Sequence, residues 1–175
     1  MDPISPVTTL IDKAEELLGH SPHPAIVALP LGAWSVSNVC DGLALATGDD
    51  RYDDAARVSM AIGLIGAAGS IVTGLRDYSY IPEERPSHEV ATRHALGNAL
   101  VGTLFATSYI LRVRAHEEGR RPSLLARSLG FAGGALSLYT AWLGGVLVEE
   151  YGESVKPVMG EMDDEDERRG RERLA

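Results

Sequence analysis

Residues 128–148 read SLGFAGGALSLYTAWLGGVLV and carry no charged side chain. A helix needs about 20 mostly apolar residues to cross the hydrocarbon core of a bilayer. This stretch meets that length. It lacks the alternation of a half-buried strand, and it lacks the charged outer face that a helix of a soluble bundle carries. Glu149-Glu150 closes it on one side, and the basic connector from Arg112 to Pro122 precedes its helix on the other.

Three further runs repeat the pattern. One covers about residues 24–47, with Asp41 as its only formal charge. The next covers about 55–75, without charge from Val58 to Leu75, and is rich in Gly63, Gly66, Ala67, Ala68, Gly69, Ser70 and Gly74. Small residues three and four apart let helices approach closely in lipid. The third run, about 94–111, starts at Arg93-His94 and ends at Arg112. Whole-chain figures conceal this order. The 175 residues are 45% hydrophobic with a mean hydropathy of −0.03, because the charged residues gather in the termini and connectors.

The fold expected is therefore all-α: a four-transmembrane-helix bundle over residues 20–151. A short amphipathic helix precedes it within residues 1–19, and a charged, disordered tail follows over 152–175. In the N-terminal segment Leu10, Ile11, Ala14, Leu17 and Leu18 recur at helical spacing opposite Asp12, Lys13, Glu15 and Glu16. Thr8 or Thr9 is placed to cap this helix and Gly19 to end it. Its acidic polar face disfavours anionic lipid, so packing on the bundle is the expected use. Pro24 suits the first turn of the next helix, and Pro30 is expected to bend it.

Composition excludes some functions. The net charge of −9 argues against nucleic acid as a partner, which needs a basic face. The single cysteine, Cys40, permits no disulfide within the chain. An acidic start ahead of the first apolar run is unlike a secretory signal. No hydrolase-type nucleophile spacing and no Gly-rich phosphate loop occurs.

Four spans place the N-terminus, the 76–93 loop and the C-terminus on one side, and the 48–57 and 112–127 connectors on the other. Arginines in those connectors favour a cytoplasmic placement for them, while the Arg-rich tail argues the other way. The same topology gathers polar residues at one membrane face: His20 and His23, Asp77 and Tyr78, Arg93, His94 and Asn98, and Glu149, Glu150 and Tyr151. Histidine is the commonest metal ligand and also ligates haem iron, and a neighbouring carboxylate fixes the ring tautomer. A metal or haem site would use His20, His23 and His94, with Asp77 in support. Two other readings stand beside it. In one, the same residues organise helix ends, with His94 capping its helix or pairing with Asp77. In the other, they handle protons or a quinone. His88 and His116 are read as solvated loop residues. Asp41, costly within lipid, is expected to be neutralised by Arg57 or Arg127, with Asn38 one turn away. Trp34 and Trp142 read as packing residues, Tyr78 and Tyr80 as interfacial.

Short motifs carry a resemblance. Gly19-His20-Ser21-Pro22-His23-Pro24 with Pro30-Leu31-Gly32, Cys40-Asp41 with Thr47-Gly48, Gly74-Leu75-Arg76-Asp77-Tyr78, Arg93-His94-Ala95 with Asn98, and Trp142-Leu143-Gly144-Gly145 follow in order over about residues 19–155. Together they resemble a bacterial family of four-helix integral membrane proteins of unknown function. Some relatives carry a Rieske-type iron–sulfur domain, which implies a link to electron transfer. The one cysteine here cannot hold such a cluster. This chain also has Val146 where relatives often have an acid, and Tyr151 where they often have histidine. The resemblance implies a multi-pass protein of the cell membrane. Two functions are open: a redox-associated component binding haem or a metal ion beside another membrane or redox protein, or a non-catalytic anchor or interaction subunit.

Overall fold

The computed structural model describes residues 5–155, 162, 164 and 165. It contains helices α1 (Ser5–Leu18), α2 (His23–Thr47), α3 (Arg51–Ser79), α4 (Pro86–Glu117) and α5 (Leu124–Glu149). No strand occurs among the described residues. Most of the tail expected to be disordered lies outside them.

Helices α2 to α5 are each long and apolar enough to cross a membrane. Within each span's most apolar stretch only 22% to 28% of residues are buried inside the protein. The outward positions are apolar, with Ile65 and Leu138 each 74% exposed. Such a surface is stable in lipid and costly in water. Helix α2 packs closely on α3, and α4 on α5; thinner seams join α3 to α4 and α2 to α5. The result is an up-down-up-down bundle of two hairpins.

Glycines set the closeness of the hairpins. A Cβ on Gly63 would lie 2.3 Å from Trp34 Nε1, and one on Gly133 would lie 2.8 Å from Phe105. Each large ring occupies the space its partner helix leaves open. Trp34 and Phe105 then stack across the bundle at 4.2 Å and 11°, and with Met60 and Val101 they form the core. Trp34 is thus a packing residue as expected. Trp142 is not: it is 60% exposed and leans on Tyr139 on the outer face of α5.

Helices extend beyond the apolar runs. Helix α3 begins at Arg51 and α4 runs from Pro86 to Glu117, so His88 and His116 are helical rather than loop residues. Proline suits the first turn of α4, where its missing N–H is not needed. Helix α2 continues through Pro30, whose ring lies over Gly66. Helix α1 begins at Ser5, which puts Thr8 and Thr9 inside it rather than at its cap. Gly19 ends it as expected, with φ +80° and its N–H donating to the Glu15 carbonyl.

Candidate functional site

Polar side chains concentrate at the two ends of the bundle. At the connector end, Asp41 of α2 and Arg112 of α4 are both wholly buried. Arg112 donates from Nη1 to Asp41 Oδ1 at 2.8 Å and from Nη2 to Oδ2 at 2.5 Å, a two-pronged pair. Its Nε donates to Ser108 Oγ at 3.1 Å, and the Ser108 hydroxyl donates to the Ala126 carbonyl at 2.5 Å. Arg127 of α5 bridges Asp41 at 3.0 Å and Asp53 of α3 at 2.5 Å. Arg121 then joins Asp53 at 2.7 Å and the Gly48 carbonyl at 3.1 Å. One network therefore ties all four spans.

Of the two partners expected for Asp41, Arg127 is present and Arg57 is not. Arg57 pairs with Asp54 at 3.2 Å, beside His116. By hydropathy Arg112 ends a run and Asp53 lies in a polar turn. Both fall within helices because α3 and α4 continue past their apolar stretches. Asn38 packs against Gly130 and Gly134 of α5, with Arg112 Nη2 also close to Gly130, and its buried Oδ1 makes no hydrogen bond to the Asp41 network. A cavity of about 280 Å³ opens at this end, lined by residues including Asp50, Asp54, Arg57, His116 and Arg120.

At the opposite end the chemistry is different. The Thr73 hydroxyl donates to the Gly69 carbonyl at 3.0 Å, so it accepts from His23 Nδ1 at 2.9 Å. That arrangement places the His23 proton on Nδ1 and the lone pair on Nε2. The ring rests on Gly74, where a Cβ would meet Cε1 at 2.8 Å. His94 donates from Nδ1 to the Thr140 carbonyl at 2.8 Å, and its Nε2 accepts from Asn98 Nδ2 at 3.0 Å. Its ring rests on Gly144 of α5. A neutral ring satisfies both partners of His94, and both its nitrogens are then occupied.

Asp77 accepts from Ser21 Oγ at 2.6 Å and from Arg76 Nη1 at 3.1 Å. It does not bond His94. His20 is exposed and its Nδ1 lies 2.9 Å from the Ser21 carbonyl. Arg93 is exposed and pairs with Glu89 at 2.5 Å, apart from the cluster. Tyr78 bonds Thr92 at 2.8 Å. Glu149 and Glu150 are exposed. Besides Asp77, Glu153 enters this end, buried and accepting from Ser87 Oγ at 2.7 Å. Nothing in the sequence singles it out, since it lies beyond the last apolar run.

The two polar ends and the four spans between them form the unit that matches a known family. Residues 19–157 match the model of a family described as predicted membrane proteins, DUF2231. The chain belongs to the DUF2231 family. No curated protein and no solved structure matches it. The matched residues begin at Gly19 and so include both polar ends while leaving α1 outside.

Within this DUF2231 domain the expected site residues divide into separate groups. His23 sits on the α2–α3 seam, with Asp77 and His94 in electrostatic reach. His94 and Asn98 close the α4–α5 seam. His20 and Arg93 face outward. Among the described residues, no three His, Cys, Asp or Glu side chains are placed to hold one metal ion.

Proposed function

We propose that this DUF2231 protein is a non-catalytic, multi-pass component of the cell membrane: an anchor or interaction subunit whose polar ends lock the helices. The observation that carries the reading is His94. Both its ring nitrogens are engaged inside the bundle, by the Thr140 carbonyl and the Asn98 amide, so ligating a metal would require one of those bonds to break. The ion network at the other end is likewise closed on itself across four helices. The loops and tail then offer contact to a membrane or redox partner. The test is an absorbance spectrum with metal analysis of the protein purified in detergent. No Soret band and no stoichiometric metal are expected; either one would overturn the reading. Under it, His94→Ala leaves partner capture intact, while deletion of residues 156–175 weakens it.

A second reading rests on His23. Its Nδ1–H is held by Thr73, which leaves Nε2 with the lone pair that a haem iron or a metal ion takes. In this version His23, with His20 nearby in sequence and Asp77 in support, carries the group, and His94 remains structural. Titration of the purified protein with haem separates the readings. A Soret shift lost in His23→Ala and kept in His94→Ala favours the second; no shift at all favours the first.

A further inference from the structure

Helix α1 is amphipathic, yet its apolar stripe does not face the bundle. Ile11 is buried, whereas Leu10, Leu17 and Leu18 are 70%, 87% and 51% exposed. The bundle instead receives charge. Arg76 of α3 binds Asp12 at 2.8 Å and Glu15 at 2.6 Å, and its guanidinium lies over the Tyr80 ring. At about 100° per residue, Leu10, Ala14, Leu17 and Leu18 centre roughly a quarter-turn from the side bearing Ile11 and Glu15. The leucines thus look sideways, past the bundle.

Two tethers set the depth of α1. The Gly19–Pro22 connector joins it directly to the first span, and at about 3.5 Å per residue it reaches only about 14 Å. Arg76 stands in the last turn of a second span. Just before it, Ile71, Val72 and Leu75 are exposed on the lipid-facing surface of α3. The leucine stripe is therefore held at the bilayer boundary, next to a surface already facing lipid.

We propose that α1 is an interfacial helix, with Leu10, Leu17 and Leu18 seated in the acyl-chain boundary of the same bilayer. The Arg76 clamp gives it this roll. It draws Asp12 and Glu15 against the bundle and so keeps two carboxylates away from the lipid. The expectation that α1 packs its apolar face on the bundle is met only at Ile11.

Full-length protein in phosphatidylcholine vesicles tests this. In a Cys40→Ala background, single nitroxide labels are placed through Leu10→Cys, Leu17→Cys or Glu16→Cys. Power-saturation spectroscopy then compares collisions with oxygen and with a water-soluble nickel chelate. The oxygen-to-nickel ratio is expected to be several-fold higher at positions 10 and 17 than at 16. Equal ratios at 16 and 17 would put the stripe in water and overturn the proposal. Shielding of position 17 from both reagents would put a second copy or another protein over it, and would overturn the proposal equally. Adding Asp12→Asn with Glu15→Gln is expected to shrink the contrast between 16 and 17; an unchanged contrast would remove the clamp's role in setting the roll.

Discussion

At the connector end, Asp41 and Arg112 are wholly buried ions joined by two hydrogen bonds, with Arg127 and Asp53 completing the chain. At the other end, the rings of His23 and His94 are held by a hydroxyl, a carbonyl and an amide. Both ends bind the helices together, but they differ in what a lost partner leaves behind. A buried charge stripped of its counter-ion costs far more than a neutral group stripped of one hydrogen bond. The connector end is therefore a lock that fails as a whole. The histidine end is a set of separate latches, each tied to one seam and each resting on a glycine.

The largest effect should follow from Asp41→Ala, which strands Arg112 in the interior and leaves Arg127 with Asp53 alone. A loss of about 3–5 kcal/mol is expected, read as failure to recover monodisperse protein or as a collapsed melting temperature in detergent. The double variant Asp41→Leu with Arg112→Met should recover part of that loss, because apolar replacement of a buried pair removes both desolvation costs. If the single variant melts like the parent, the connector end is not a lock.

His94→Ala should cost less, about 1–3 kcal/mol, since the change leaves no buried charge. Thermal melts of the two single variants side by side measure the contrast between the ends directly. A similar, moderate loss of about 1–3 kcal/mol is expected for Gly74→Ala, whose new Cβ would crowd His23 Cε1. Gly102→Ala, where a Cβ meets nothing within 4 Å, serves as its control and should melt like the parent.

Surface charges give the smallest effects. Arg93→Ala removes an exposed pair with Glu89 and should stay within about 0.5 kcal/mol. The Arg51 guanidinium beside Asp49 holds that carboxyl below its usual range. Any stability it lends is present above the unfolded pKa and is lost only as pH falls through the lower folded value. Asp49→Asn should therefore not alter the change in melting temperature between pH 7 and pH 5. A visible difference would mean that Asp49 belongs to the buried network.

The spans were legible in the sequence because lipid demands length without charge, and no other part of the chain satisfies that demand. The end of α1 at Gly19, the packing role of Trp34 and Arg127 as one of two candidate partners for Asp41 were legible for similar local reasons: a glycine, a large ring and an uncompensated charge. Hydropathy is silent where a helix continues through polar residues, so Arg112 and Asp53 entered the interior only in the folded bundle. The partner of His94 is a backbone carbonyl, and every residue carries one, so no sequence pattern marks it. Trp142 and the leucines of α1 show the same limit from outside. Periodicity identifies an apolar stripe, but which way it turns depends on contacts such as Arg76 with Asp12 and Glu15, made by residues far apart in the chain. The sequence alone determined that this protein lives in a membrane as four helices. Tertiary structure decided which charges meet, which nitrogens are occupied and which way each helix is rolled, because those are set by where separate helices come together.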